Sequence, residues 1–210
     1  MNVERLISQM VQAFVTAVEA KDRYTNGHSL RVADYSLEMC RLLDYDIVEQ
    51  RKVYMSALLH DIGKIGIPDA ILNKTAGLTD DEYNIIKQHP VIGANILDDI
   101  TELPELAIGA HYHHERWDGN GYPDGLKEME IPVIAQIISV ADAYDAMTSN
   151  RSYRNLLEQE VVRREIERGI GTQFNPEFAE IMINMIDNDK DYMMCQQNWY
   201  RAEHRKIKII

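Results

Sequence analysis

Residues 57–72 read ALLHDIGKIGIPDAIL, and a helical stripe that enters this stretch is predicted to point the Asp61 carboxylate toward the protein interior. The stripe runs through Val53, Ala57 and Asp61, at the i, i+4 spacing that places side chains on one face of an α-helix. An isolated carboxylate on an inward face costs free energy unless a partner compensates it. The pair His60–Asp61 is therefore a candidate for chemistry.

Helical periodicity and helix-start signals extend in both directions from this stretch. An amphipathic helix is predicted over residues 1–20, and His28 lies on the inward stripe of a second helix. Further helix starts are signalled at Thr79 with Glu82, Pro90, Pro104, Pro132 and Asn175–Pro176. Neither alternating strand patterns nor internal repeats are visible, and the connections between helices are short. The sequence predicts an all-α fold.

The chain length allows one domain, predicted over residues 1–186, with a C-terminal extension over 187–210. The N-terminal helix either packs on the core or forms a dimer seam with a preceding helix. The extension is polar and irregular, and it is either a docking segment or a poorly ordered end.

Composition restricts the compartment and the partners. The net charge of −12 argues against binding to nucleic acid polymers or to an anionic membrane, while clustered carboxylates attract divalent cations. No apolar run approaches the roughly 20 residues of a bilayer span, and the N-terminus does not resemble a secretory signal. Cys40 and Cys195 are far apart in sequence, so a reducing cytoplasm is expected.

Seven polar side chains are candidate metal ligands, and most of them occur in short runs of polar residues. Each one alone has an ordinary explanation as a hydrogen-bonded core residue, but a helical bundle can direct several of them into one central cavity. Imidazole and carboxylate without thiolate suit iron, manganese, nickel, cobalt or zinc. The candidates are His28, His60, Asp61, His89, His113, His114 and Asp142.

The spacing favours two metal ions over one. Neighbouring helical residues diverge by roughly 100°, so His60 and Asp61 cannot serve one ion in the same way. A carboxylate can bridge two ions, and His113 and His114 are predicted to address different ions. We therefore predict a binuclear site bridged by Asp61, whose ions, about 3.5–4 Å apart, activate a bridging hydroxide.

Four sequence blocks together resemble the HD-GYP subgroup of the HD-domain phosphohydrolases. They are KDRYTNGHSLRVADYS (21–36), ALLHDIGKIGIPDAIL (57–72), HHERWDGNGYPDGL (113–126) and VADAYDAMTSNRSYR (140–154). The resemblance runs from about Lys21 to Asn175 and implies an HD-domain helical bundle with the metal site in its core. The family's metal ligands match the seven candidates above.

The resemblance also implies roles for residues that composition would not single out. Lys64 matches a lysine placed against the scissile phosphate, where an ammonium neutralises developing charge. The Gly/Pro-rich loop carries the family signature at Gly121, Tyr122 and Pro123, and Tyr122 is expected to contact substrate. Arg151 and Arg154 match basic positions that contact the phosphates or guanines of a cyclic dinucleotide.

The implied function is a metal-dependent phosphodiesterase that hydrolyses cyclic di-GMP to linear pGpG, and then to GMP if a second cut follows. Attack by a metal-bridging hydroxide is expected, with iron first and manganese second among the metals. Two alternatives are another cyclic dinucleotide or nucleotide as substrate, and a binding module that has lost catalysis. A homodimer or an upstream sensor or receiver is a candidate partner.

Three positions depart from the family pattern or vary within it. Some members carry a glutamate four residues before the first histidine and hold a third metal, whereas Tyr24 stands there in this chain. Gln136 replaces a frequent arginine, which is expected to alter substrate binding or local salt bridging. Asp145 is a variable position to which the sequence assigns no role.

Overall fold

The structure is a computed structural model that describes residues 3–22, 27–149, 158–189 and 194. The predicted all-α class is confirmed, because the described residues form helices joined by short connections and a single isolated bridge between Ile170 and Phe174. The α-helices are α1 (Val3–Lys21), α2 (His28–Leu42), α3 (Ile47–Leu59), α4 (Asp69–Leu72), α5 (Asp80–Ile86), α6 (His89–Leu97), α7 (Glu105–Tyr112), α8 (Val133–Thr148), α9 (Gln159–Arg168) and α10 (Pro176–Asn188). Two 3₁₀ helices, Ile62–Gly66 and Glu128–Glu130, complete the described elements.

The predicted helix starts are confirmed by their capping contacts. Thr79 and Glu82 form a reciprocal capping box at the start of α5, and Asn175 accepts from the Glu177 amide one residue after Pro176. Asp46 caps α3 by accepting from the first-turn amides. These contacts satisfy amide groups that have no partner within their own helix.

The core lies where α2, α3, α7 and α8 pack against one another, with α9 and α10 closing one side of α8. Tyr35 and Tyr144 meet edge to face at 5.0 Å between α2 and α8. The same four helices carry or immediately precede most of the candidate ligands. Their packing therefore sets the geometry of the site.

The third helix ends earlier than the periodicity predicts. α3 stops at Leu59, His60 is its C-cap residue, and Asp61 lies in the turn before the 3₁₀ helix. The prediction that Asp61 lies on the helical stripe is therefore wrong. After this break, Gly63 lies in the 3₁₀ helix and packs directly against the backbone of α6, where a Cβ atom would meet the His89 carbonyl oxygen.

Both ends of the domain contact the core. Val15 and Val18 of α1 are buried, so the core-packing alternative is confirmed for that face, while a dimer seam through exposed Phe14 stays a prediction. Met194 is also buried, and its carbonyl accepts from the Tyr35 hydroxyl at 2.8 Å. The domain boundary at residue 186 stays a prediction, and residues 195–210 lie outside the described part of the chain.

None of the described helices combines the length and apolar character that crossing a bilayer requires.

Candidate metal centre and substrate pocket

The seven predicted ligands converge on one buried point around Asp61. Its Oδ2 atom lies 3.5 Å from the Nε2 atoms of both His28 and His60. Its Oδ1 atom lies 3.4 Å from His89 Nε2 and 3.9 Å from His113 Nε2. The carboxylate thus presents one oxygen to each of two histidine pairs. The four histidines lie in or directly after α2, α3, α6 and α7, which are distant from one another in sequence.

Three overlapping groups of these side chains could hold a metal ion. Their candidate ligand atoms lie within 4.8 Å of one another in the sets His28–His60–Asp142, His60–Asp61–His113 and His89–His113–His114. His113 occurs in two of these groups, with His89 and His114 in one and with His60 and Asp61 in the other, so the groups do not decide the prediction that His113 and His114 address different ions. α7 ends at Tyr112, and the rings of His113 and His114, which follow it, lie at a centroid distance of 4.1 Å.

Backbone carbonyl groups fix the orientation of three of the imidazoles. The Nδ1 atoms of His60, His89 and His113 each lie 2.7–2.8 Å from the carbonyl oxygen three residues earlier. A carbonyl only accepts, so each Nδ1 carries the hydrogen and each Nε2 presents its lone pair to the centre. This is the arrangement of metal-binding histidines whose second nitrogen is held by an acceptor.

These lone pairs provide a test of whether the residues fit a metal. His60 Nε2 is buried without a hydrogen-bond partner among the described residues, and the Nε2 atoms of His89 and His113 face each other at 3.3 Å. Two lone pairs at that distance repel unless a cation lies between or beside them. The donor set therefore fits a divalent metal, and imidazole with carboxylate is the chemistry such ions accept.

The protonation states support the same interpretation. Burial and the neighbouring His114 ring hold the pKa of His113 well below its usual value, and burial with His89 lowers the pKa of His114 to about 3. Burial also lowers the pKa of His89. These rings are neutral at physiological pH, which is the form that binds metal.

His28 differs because carboxylates surround it. Burial alone would lower its pKa, but Asp145 and Asp61 raise it to about 10. Asp145 accepts from His28 Nδ1 at 2.8 Å and also pairs with Arg31 through Nε at 2.6 Å and Nη2 at 2.9 Å. Asp145, left without a role by the sequence, therefore orients a candidate ligand.

Asp145→Asn is expected to reduce divalent-metal affinity by about 10- to 100-fold, since the carboxylate that orients His28 loses its charge. Asp187→Asn is the matched control, because Asp187 also pairs with an arginine, Arg163, but at an exposed site. Titration of each chelator-treated variant with Mn(II) measures the effect. Equal affinities in the two variants would argue against the orienting role.

Lys64 lies beside the centre, held by two carboxylates. Its Nζ atom is 2.7 Å from Asp61 Oδ2 and 3.0 Å from Asp22 Oδ2. Burial alone would lower the pKa of Lys64, but Asp61 and Asp22 raise it, so the ammonium stays charged. Asp22 is a buried acid that sequence analysis missed, and its position ahead of the first histidine gave no periodic signal.

The Gly/Pro-rich loop folds against the metal centre. Gly121 packs closely against the backbone of His114 and Glu115. A Cβ atom at position 121 would lie 2.5 Å from the Glu115 Cα atom and 2.6 Å from the His114 carbonyl oxygen. Tyr122 stacks on the His114 ring at 4.8 Å, and its peptide bond to Pro123 is cis. The loop therefore places an aromatic ring directly on a candidate ligand.

The buried Glu115 side chain binds the backbone of this loop. Its Oε1 atom accepts from the amides of Asp124 at 2.7 Å and Gly125 at 3.0 Å. Sequence analysis did not single out Glu115, although it directly follows the histidine pair. A buried carboxylate next to a glycine-rich loop was the available signal.

The metal centre opens into a pocket of about 460 Å³. Five of the seven candidate ligands and Lys64 line it, together with Tyr122 from the loop. His60 and His113 lie deeper and are fully buried. The pocket thus gives a substrate-sized molecule access to the candidate metal ligands and Lys64.

Three predicted positions cannot be placed relative to this pocket, and a fourth has other contacts. Arg151, Arg154 and Tyr24 lie outside the described residues. Gln136 is buried and binds the Ile131 carbonyl and the Asn175 amide at 2.6 Å each. The expectation that Gln136 alters substrate binding is thus not supported by its contacts, which anchor the start of α10.

Comparison with known proteins gives consistent matches. The family model described as "HD domain" matches residues 4–177. A protein named "Cyclic di-GMP phosphodiesterase" from Thermotoga maritima is 41% identical over 185 residues, which cover 87% of this chain and 50% of that protein. "3'3'-cGAMP-specific phosphodiesterase 2" from Vibrio cholerae is 35% identical over 181 residues, which cover 85% of this chain and 35% of that protein. The chain therefore spans half or less of these relatives.

A solved structure shares the architecture at low sequence identity. The cyclic GMP-AMP phosphodiesterase V-cGAP3 of V. cholerae superposes with a TM-score of 0.67 and 18% identity, covering 89% of this chain and 50% of that one. At this identity the likeness extends to the fold.

Proposed function

This chain belongs to the HD-domain family, in its HD-GYP group, and from that premise we propose that it is a metal-dependent phosphodiesterase that hydrolyses cyclic di-GMP. The observation that carries the proposal is the Asp61 carboxylate, with each oxygen facing a different pair of histidine Nε2 atoms. The names of the relatives from T. maritima and other bacteria support the substrate class.

We propose a binuclear centre bridged by Asp61, with iron as the first candidate and manganese as the second. His28, His60 and Asp142 would hold one ion, and His89, His113 and His114 the other. When bound, such ions lower the pKa of coordinated water and stabilise in-line displacement at phosphorus. Tyr24, at the position where some members carry a glutamate ligand, is the reason for proposing two ions rather than three.

The protein's own residues would bind and orient the phosphodiester. Lys64 keeps its charge and lies beside Asp61, so it would neutralise charge on the reacting phosphate. Tyr122 would form one wall of the site through its ring, which stacks on His114. Arg151 and Arg154 remain proposals for contacts to the phosphates or guanines.

The product would be linear pGpG, with GMP following if a second diester is cut. A cytoplasmic location and a homodimer or upstream sensor partner stay predictions. The matched residues cover half or less of these relatives, so an upstream sensor or receiver is part of this proposal.

A second candidate substrate is a mixed cyclic GMP-AMP dinucleotide. Relatives from V. cholerae named as 3'3'-cGAMP-specific phosphodiesterases are 32–37% identical to this chain. The candidate ligands and Lys64 would face the phosphodiester, which is common to both substrates, so the bases must decide between them. Initial rates on cyclic di-GMP, 3'3'-cGAMP and cyclic di-AMP would rank these substrates directly.

Chelation is expected to abolish cyclic di-GMP turnover, and anaerobic addition of Fe(II) or Mn(II) is expected to restore it. The metal-free protein should also unfold at a lower temperature, because metal binding to the folded state alone contributes stability. Elemental analysis measures the metal content, chromatography of the nucleotides measures turnover, and thermal unfolding measures stability. Tight cyclic di-GMP binding without turnover in the metal-loaded protein would favour a binding module.

A further inference from the structure

The pocket extends beyond the metal centre onto a wall that carries few charges. Tyr122, Ala143, Ala146, Met147 and Phe174 supply this apolar wall. Phe174 is almost fully buried, and Tyr122 is fixed by its stack on His114. Flat apolar and aromatic surfaces of this kind accept the faces of nucleobases.

Two polar residues, Glu165 and Gln173, line the same pocket. Glu165 belongs to α9, which packs against α8 and α10. The turn that carries Gln173 is tied to the segment before the signature loop, because the amides of Trp117 and Asp118 donate to the carbonyls of Gln173 and Thr172. Both polar residues are thus held by structured elements.

The carboxylate of Glu165 is not accounted for by the metal centre. Asp61 and Asp142, the other carboxylates of the described pocket lining, belong to the ligand groups. A third carboxylate would repel the two phosphates of a cyclic dinucleotide. In a complex with a cyclic dinucleotide, the groups that could approach this carboxylate favourably are the hydrogen-bond donors of the bases and sugars.

We propose that Glu165 reads a guanine base, accepting hydrogen bonds from its N1–H and N2–H₂ groups while the ring lies on the apolar wall. This inference rests on the proposed function and specifies its substrate. The Watson–Crick edge of guanine offers two adjacent donors, which match the two oxygens of a carboxylate. The same edge of adenine offers an acceptor at N1 beside its N6 donor, so the carboxylate would face a lone pair.

The present partner of Glu165 leaves it available for this role. Arg168 Nη1 donates to Glu165 Oε1 at 2.7 Å, in a pair whose side chains are 74% and 41% exposed. Exposed ion pairs at i, i+3 spacing are weak, so Arg168 would not compete strongly with a ligand for the Glu165 carboxylate.

Glu165→Gln tests the proposal, because it replaces one acceptor by a donor without changing the size of the side chain. The ligands are hydrolysis-resistant phosphorothioate analogues of cyclic di-GMP and cyclic di-AMP, bound to the metal-loaded protein and measured by calorimetry. The wild type should prefer the guanine ligand, and the variant should lose about tenfold of that preference. Glu167→Gln is the matched control, since Glu167 lies on the same helix and pairs with Arg163 at the surface.

Each outcome decides the inference. An unchanged preference in the Glu165→Gln variant, or a wild type with no preference for guanine, would overturn it. An equal loss in the Glu167→Gln control would also overturn it, since the effect would then be one of general charge. Turnover of cyclic di-GMP is measured separately, so selective binding without turnover would contradict the proposed function and leave the reading of guanine intact.

Discussion

Asp61→Asn is expected to lose most of its bound metal and to lower cyclic di-GMP turnover by more than about 100-fold. Substitution of a residue that orients a metal ligand already costs about 10- to 100-fold in metal affinity or activity. Among the described residues, Asp61 is the carboxylate that faces both histidine pairs. The amide keeps the shape of the side chain but removes its charge. It offers only one oxygen, so it cannot present an anionic oxygen to each pair.

Charge at the centre adds to this effect. Burial would raise the pKa of Asp61, but Lys64 and the surrounding histidines hold it well below its usual range. The folded protein therefore carries an ionised carboxylate there, and its stabilising contribution is present at neutral pH and lost as the pH falls through that low pKa. Asparagine would leave the charge of Lys64 less compensated.

Asp69→Asn provides the control for this experiment. Asp69 also pairs with a lysine, Lys21, at 3.3 Å, but its side chain is 78% exposed. Elemental analysis reports the metal content, turnover assays report activity, and circular dichroism reports the fold. Full metal content with near-normal turnover in Asp61→Asn would remove Asp61 as the bridging residue.

Local sequence signals predicted the helices and the ligand set. Helix starts such as Thr79 with Glu82 depend on residues three positions apart, and the structure contains that reciprocal cap. The candidate ligands were predicted from polar side chains that mostly occur in short runs, and the resemblance to the HD-GYP group matches the same seven positions. The structure brings all seven of them together, while metal binding by them remains a proposal.

Contacts between distant residues could not be predicted in the same way. Asp145 and His28 are separated by 117 positions, and nothing local to either residue identifies the other. Asp22 and Lys64 meet for the same reason, through the packing of the end of α1 beside the 3₁₀ helix. Such pairs depend on the docking of helices, which periodicity does not encode.

The shortened α3 shows how packing can override periodicity. The apolar stripe continues through Ala57 toward Asp61, but the chain changes to a 3₁₀ helix at Ile62. The change brings the Gly63 backbone against α6. It also turns Asp61 so that its two oxygens face residues from different helices. The end of α3 at Leu59 therefore contributes to the geometry of the candidate metal site.

Gly63→Ala is accordingly expected to destabilise the protein by more than about 4 kcal/mol, which for a chain of this length lowers the melting temperature by roughly 10 °C. A Cβ atom at Gly63 would meet the His89 carbonyl oxygen at 1.9 Å and the Gly93 amide nitrogen at 2.4 Å. Both are backbone atoms, so no side-chain rotation relieves the overlap.

The same substitution links stability to the metal centre. Relief of the overlap requires the start of α6 to move away from the 3₁₀ helix, and His89 is the first residue of α6. Any Gly63→Ala protein that folds should therefore bind metal more weakly. Gly77→Ala is the control, since a Cβ atom there meets nothing within 4 Å. Thermal unfolding and Mn(II) titration measure the two effects. A Gly63→Ala protein as stable as Gly77→Ala would show that the contact between the 3₁₀ helix and α6 does not fix the centre.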